Sequence, residues 1–363
     1  MQSWRAVRRA CLILTLVVFA SFGGTAQTVW GGDALIPSLK DVYAPYFEMG
    51  AAVSIGVLHP YDDLLQKHFS SLTAENSMKF SEVHRSPGRY TFHAADRIVD
   101  YAKEHDLLMR GHTLVWHSQV PAHVFLDDAR ESVTREVLLE RMREHIELMM
   151  HRYGDVVYAW DVVNEAISDE HNVFLRSNSR WHEIIGDDYV AQAFRMAHEA
   201  DPNAKLFYND YNAVQPAKRD KIIRLIEELQ ADDVPIHGVG IQAHWNIYDP
   251  SVATIREALE LYSQLGIEVH ITELDLSVYA WNSQTPMMWE PTEEILELQA
   301  QRYGEIFALF REFSDVITNV SFWGVADDHT WLDNFPVQGR KNWPLLFDEE
   351  LQPKPAFWSI VDF

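Results

Sequence analysis

The sequence predicts a (β/α)8 TIM barrel, a single α/β domain, on three observations. Eight β-rich apolar runs recur along its 363 residues, helical patterns lie between them, and polar residues gather where the runs end. The third observation carries the most weight. A carboxylate in the middle of a buried strand is costly to desolvate, whereas at the C-terminal end of a barrel strand it meets a solvent-filled mouth.

The apolar runs place strands near 47–54, 69–75, 107–116, 156–165, 204–212, 239–245, 268–275 and 316–324. Helices are expected over 97–105, 134–153, 181–200, 217–230, 251–265 and 292–313, with Gly266 as a C-terminal cap residue. The second run ends in Glu75-Asn76 and the third in the segment from His112 to His117. The fourth ends in Asn164-Glu165, the fifth in Asn209-Asp210-Tyr211-Asn212 and the sixth in Gln242 and His244. Glu273 and Asp275 end the seventh, and Trp323 the eighth. Core packing does not explain such a set. An open doubly wound sheet also alternates β and α, but the chain has no Gly-x-Gly-x-x-Gly turn and no phosphate loop.

Residues 1–26 read as a secretory leader. Arg5, Arg8 and Arg9 precede an apolar stretch over 12–22, and Gly24-Thr25-Ala26 is a small-x-small cleavage pattern. The remaining 27–363, 337 residues, suit one barrel domain with no appended module. Cys11 is the only cysteine and falls inside the leader, so the exported protein is expected to have no thiol and no disulfide. Net charge is −24, near −27 without the leader's three arginines. Such a surface repels nucleic acid and anionic membranes; it fits a neutral substrate or high-salt surroundings, and reads first as a well-solvated surface with no specific partner. Seventeen histidines invite a metal reading, but there is no His-x-His and no His-Glu-x-x-His, and no metal or other cofactor is expected. A Gly-x-Ser-x-Gly nucleophile elbow is also absent.

Glu165 and Glu273 lie 108 positions apart, at the ends of the fourth and seventh runs, and so face each other across a ring of eight. A pair of carboxylates so placed is what glycoside hydrolysis needs. One donates a proton to the glycosidic oxygen; the other attacks the anomeric carbon or activates water. Two neighbouring carboxylates resist joint ionisation, which raises the pKa of one of them. Taken singly, Glu165 also fits a helix N-terminal acid and Glu273 a partner for a neighbouring basic residue. Their matching barrel positions favour catalysis, but chemistry alone leaves open which of them is the acid.

Seven segments then resemble glycoside hydrolase family 10, the endo-β-1,4-xylanase family. They are Thr73-Ala74-Glu75-Asn76-Ser77-Met78-Lys79, Gly111-His112-Thr113-Leu114-Val115-Trp116-His117, Trp160-Asp161-Val162-Val163-Asn164-Glu165, Tyr208-Asn209-Asp210-Tyr211-Asn212, Gln242-Ala243-His244, Ile271-Thr272-Glu273-Leu274-Asp275 and Phe322-Trp323-Gly324-Val325. They span nearly all of the chain beyond the leader, in order and on the expected strand ends. The resemblance implies that Glu165 is the general acid/base and Glu273 the nucleophile. It also implies retention of anomeric configuration, with the carboxyl groups about 5–5.5 Å apart.

The neighbours gain expected roles from the same resemblance. Asn164 is expected to bond the 2-OH of the reacting sugar, a bond that strengthens as charge develops on the ring. His244 and Asp275 are expected to orient Glu273, and Asp161 to support Glu165. Glu75, Asn76 and Lys79 resemble the clamp on the sugar one unit beyond the reactive one. His112, Trp116, Gln242, Trp323 and Trp331 resemble the walls around the reacting sugar, where aromatic rings meet the C–H faces of a pyranose. Tyr211 resembles a platform on the leaving-group side, and Trp160 is expected in the core.

Two stretches depart from the family pattern. Ala326 stands where similar sequences often carry a larger polar residue. The stretch 279–291, with Trp281, Met287, Met288 and Trp289, is long, and fits a lid, an added sugar contact or a loop packed on the barrel. The sequence therefore reads as a secreted, monomeric, retaining endo-β-1,4-xylanase acting on xylan and xylo-oligosaccharides. Its rivals are activity on β-1,3-xylan, mixed-linkage glucan or aryl cellobiosides, and a barrel that binds sugar without turnover.

Overall fold

Each predicted strand reappears in the computed structural model, which describes residues 36–285 and 290–363. The leader, Met287, Met288 and Trp289 lie outside the described residues. The strands are β1 (Glu48–Val53), β2 (Ser71–Ala74), β3 (Leu108–Trp116), β4 (Val157–Asn164), β5 (Lys205–Asp210), β6 (Gly238–Ile241), β7 (His244–Asn246), β8 (Glu268–Ser277) and β9 (Ile317–Phe322). Eight of them close a parallel ring in the order β1-β2-β3-β4-β5-β6-β8-β9, with β9 back against β1. The sixth predicted run is two pieces rather than one. Ala243 takes a left-handed φ of 59°, which ends β6 and starts the short β7, paired only with β8.

Helices cover the outside of the ring, as a parallel sheet requires. The helices Arg135–Tyr153, Val252–Ser263 and Glu293–Glu312 begin at Thr134, Ser251 and Thr292, whose hydroxyls accept from the backbone N–H three residues on. The predicted helix over 181–200 is two helices, Arg180–Ile185 and Tyr189–Ala200, because Gly186 takes a φ of 103° between them. Gly266 is left-handed (φ 69°), two residues beyond the Gln264 cap. The segments Leu39–Tyr43, Asp62–His68, Phe80–Val83 and Pro355–Val361 are helical without having been expected. They are one or two turns long, too short for periodicity to show.

Trp160 is fully buried on the outer face of β4, as expected for a core residue. Its partner across the strands is Gly111, where an added Cβ would stand 2.1 Å from Trp160 Cε3. A strand residue other than glycine there would displace the indole.

The lower barrel interior is partly polar. Arg110 is fully buried; it donates to His270 Nδ1 (2.9 Å) and to Asp161 Oδ1 (2.6 Å) and lies over the Phe207 ring. A charge this deep is tolerated because a carboxylate and hydrogen-bond partners offset the cost of burying it. Replacing Arg110 with methionine strands Asp161 and is expected to cost about 3–5 kcal/mol in urea unfolding. A loss near zero would mean that Asp161 finds its compensation elsewhere.

Register shifts interrupt the ladder just where the site begins. They fall between His112 and Val115 on β3, between Asp161 and Val163 on β4, and between Ile271 and Leu274 on β8. Strand alternation would send Asp161 and Asn164, three apart, to opposite faces. The shift lets Asp161 meet Arg110 and Asn164 meet Asn209, both inside the barrel. On β8 it lets Thr272 and Glu273, adjacent in sequence, both reach Asn209.

Candidate active site

A cleft of about 900 Å³ opens at the C-terminal ends of the strands. Of the residues singled out in the sequence, Glu75, Asn76, Lys79, His112, Trp116, Asn164, Glu165, Tyr211, Gln242, His244, Glu273, Trp323 and Trp331 line it. Asp161 and Asp275 lie behind its wall and are fully buried.

Glu273 sits within β8 and is 4% exposed. Asn209 Nδ2 donates to its Oε1 (2.8 Å), His244 Nε2 bonds its Oε2 (3.1 Å), and His112 Nδ1 is 4.0 Å away. Burial by itself would raise this carboxyl. The charges of His112 and His244 and the His244 hydrogen bond outweigh burial and hold it below the ordinary glutamate range. On its other side His244 Nδ1 meets Asp275 Oδ2 at 2.9 Å, and Trp331 Nε1 donates to that same oxygen at 2.8 Å. Burial would lower His244, but Asp275 and Glu273 push it up to about 10, so both ring nitrogens donate at neutral pH.

This pair makes stability depend on pH. Raised in the folded state, His244 contributes fully below its ordinary 6.5, and the contribution is lost as pH rises through about 10. Glu273, lowered, contributes above its ordinary 4.5 and loses its share as pH falls. The melting temperature of the wild type is expected to fall more steeply between pH 7 and 10 than that of His244→Gln. Parallel slopes would remove His244 as the source.

Glu165 is the first residue after β4 and holds a left-handed φ of 57°. Trp116 Nε1 donates to its Oε2 (2.9 Å) and Gln242 Nε2 to its Oε1 (3.1 Å). Gln242 Nε2 also reaches Asn164 Oδ1 (3.2 Å), which accepts from Asn209 Nδ2 (3.0 Å). One hydrogen-bonded line thus joins the two carboxylates. Turning the Asn164 amide over would set its nitrogen 3.0 Å from the Asn209 nitrogen, donor against donor. The Glu273 carboxylate fixes Asn209 Nδ2 as a donor, so Asn164 gives it the oxygen. Burial pushes His117, whose ring is 4.0 Å from Glu165, down to about 4, so it stands there neutral.

Asp161 does not adjoin Glu165 as the sequence reading expected. Its carboxylate is held by Arg110 and by His112 Nδ1 (2.9 Å), which places it behind Glu273 instead. Burial would raise it, but Arg110 and His112 keep it lowered. Around the mouth, Lys79 Nζ donates to Asn76 Oδ1 (2.9 Å) and lies over the rings of Trp116 and Trp323. Burial lowers its pKa, and Glu273, Glu75 and Glu165 draw it partly back. Trp323 stands edge-on to His112 (5.2 Å) and Trp331 is tilted against His244 (4.8 Å). The Tyr211 ring is fixed by Lys218 Nζ, 3.4 Å from its centroid, while its hydroxyl meets Arg176 and Asp169.

Sequence reasoning places Asn209 at the end of the fifth run but gives no role to this amide, which Asn164 and Glu273 share. Strand alternation from Tyr211, two positions on, would have given it one. The same reasoning passes over Arg176, whose Nε donates to the Glu165 carbonyl (3.0 Å) and whose guanidinium reaches Tyr211 Oη (2.8 Å). No local pattern marks Arg176, because it works across a loop. Gln119, Asn212, Phe335 and Pro336 line the cleft as well. Among the described residues no group of three or more His, Cys, Asp or Glu is placed to hold a metal ion.

The sequence profile of glycosyl hydrolase family 10 matches residues 38–363. The chain belongs to glycosyl hydrolase family 10. Among family members, the endo-1,4-beta-xylanase B of Paenibacillus barcinonensis is 53% identical over 326 residues, 90% of this chain and 98% of that protein. A crystal structure of xylanase XynB from P. barcinonensis, complexed with a conduramine derivative, superposes with a TM-score of 0.88 at 53% identity, covering 90% of this chain and 98% of that one. A thermostable celloxylanase of Thermoclostridium stercorarium is 41% identical over 97% of this chain and 94% of its own length. The closed parallel barrel is the fold these family neighbours share.

Proposed function

We propose that this chain is a secreted endo-β-1,4-xylanase that hydrolyses internal bonds of xylan with retention of configuration. The observation that carries the reading is the unequal treatment of two carboxylates at one mouth. Glu273 is buried among cationic and amide donors that favour its ionised form, while Glu165 stands at the rim between Trp116 and Gln242.

In the first step a Glu273 carboxylate oxygen attacks the anomeric carbon as Glu165 gives its proton to the departing glycosidic oxygen. The glycosidic C–O bond breaks and a glycosyl ester forms. Glu165, now a carboxylate, takes a proton from water, and the water oxygen attacks the same carbon from the opposite face and releases Glu273. Two inversions give retention. Asn164 spends its oxygen on Asn209 and Gln242, which leaves its amide N–H groups for the 2-OH of the reacting sugar. His244, held by Asp275, and His112, held by Asp161, keep Glu273 aimed and charged. Lys79, Asn76 and Glu75 read the hydroxyls of the next sugar, Trp116, Gln242, Trp323 and Trp331 enclose the reacting ring, and Tyr211 supports the departing chain. No metal or cofactor enters the scheme. The arginines and cleavage pattern of residues 1–26 support export.

Reducing-sugar release from xylan, compared with carboxymethylcellulose and mixed-linkage glucan, tests the reading. Xylan is expected to be preferred by at least about tenfold, the scale on which a pocket rejects an added carbon group. The first-formed product is expected to be the β-anomer by NMR. Equal rates on glucan would move the chain toward a celloxylanase-like specificity, and an α-product would overturn the double displacement.

A further inference from the structure

Trp331 is the innermost of a row of aromatics that runs out of the catalytic centre. Phe335 stacks on it (4.9 Å between ring centres, 21° between planes), and Trp281 meets Phe335 edge-on at 6.2 Å. Phe335 is 49% exposed, a large apolar ring left open to solvent. Both outer rings line the same cleft as Glu165 and Glu273. The loop bearing Trp281 is braced from below. Arg340, buried, donates to the Ser283 carbonyl (3.0 Å) and lies 4.1 Å from the Tyr279 ring centre.

The row has a side. A small cavity lies between Trp331 and Glu75, bordered also by Trp323 and His329, and neither Phe335 nor Trp281 borders it. Trp331 thus borders the Glu75 cavity and also stacks on Phe335, which continues the cleft away from that cavity. Partly exposed rings, next to polar groups and in the same trough, suit the C–H face of a pyranose. Packing alone does not account for a half-exposed phenylalanine at the rim of a catalytic cleft, although single exposed apolar residues elsewhere need no explanation.

We propose that Phe335 and Trp281 form an added stacking site for a xylosyl unit on the leaving-group side of the cleft. The proposal rests on reading the site as an endo-xylanase. It makes these two residues determinants of where along a chain the cut falls, and it gives the stretch 279–285 a substrate contact.

The test compares xylohexaose, which can reach the shelf, with β-xylobiosyl fluoride, whose leaving group is too small to touch it. In Phe335→Ala and Trp281→Ala, kcat/KM for xylohexaose is expected to fall about 5–10-fold, chiefly through KM, as the loss of one aromatic contact does. The fluoride is expected to change less than about twofold on the same basis. Phe335→Tyr should restore the hexaose value, and reducing-end labelling should show the alanine variants cutting with fewer units on the leaving-group side. Equal losses on both substrates, as would follow if Phe335 only steadied Trp331, overturn the proposal, and so does the absence of loss on either. Failure of the wild type to cut xylohexaose at all would instead remove the xylanase reading.

Discussion

Glu273→Ala is expected to lose xylan hydrolysis by on the order of 10⁵-fold, as removal of a covalent nucleophile does. The expectation follows from position as much as from residue type. Glu273 is buried, with Asn209, His244 and His112 arranged about both its oxygens, so no other carboxylate takes its place. Folding should survive, because the alanine leaves His244 bonded to Asp275 at 2.9 Å and His112 bonded to Asp161 at 2.9 Å. The variant should still bind xylopentaose within about tenfold of the wild type, since Lys79, Trp323 and Trp331 are untouched and only the transition-state contact is gone. Calorimetry on the variant measures that binding and reducing-sugar assays measure the loss. Residual activity above about 1% would be too great for a missing nucleophile and would sink the assignment.

Much of this site was legible in the sequence because barrel geometry translates order along the chain into position around a ring. Asn164-Glu165, Gln242 and Glu273 could be placed at one mouth by counting strands, and the cleft lining includes all three sites. What the count could not supply was facing. Alternation assigns every second residue to the interior, but register shifts on β3, β4 and β8 break it at the point of chemistry. Asp161 is expected beside Glu165 as a supporting neighbour, whereas its carboxylate points across to Arg110 and His112. Asn209 is left without a role for a different reason. It is a neutral amide among Asp210 and Tyr211, and its role appears only when β4, β5 and β8 stand side by side. Arg176 reaches the Glu165 carbonyl and Tyr211 from the loop beyond β4, a contact with no period to read.

Glu165→Ala separates the two glutamates by chemistry rather than by the size of the loss. Without a proton donor the first step should slow by about 10²–10⁴-fold on xylan, whose leaving hydroxyl needs protonation. On dinitrophenyl β-xylobioside, whose leaving group departs as an anion, the first step should be spared. The glycosyl ester should then accumulate, because no base remains to activate water, and a burst of dinitrophenolate should precede a slow steady state. Azide should speed that steady state. The alanine empties the space of the carboxylate but leaves its two donors, Trp116 Nε1 and Gln242 Nε2, which stood 2.9 and 3.1 Å from the Glu165 oxygens. A small anion entering there lies on the face from which water attacks, so it displaces Glu273 and yields a β-xylobiosyl azide. If the roles were reversed, Glu165 would be the nucleophile. Azide rescue of this variant would then replace it directly, with a single inversion, and the product would be the α-azide. The anomeric configuration of one product therefore decides which glutamate bonds to the sugar.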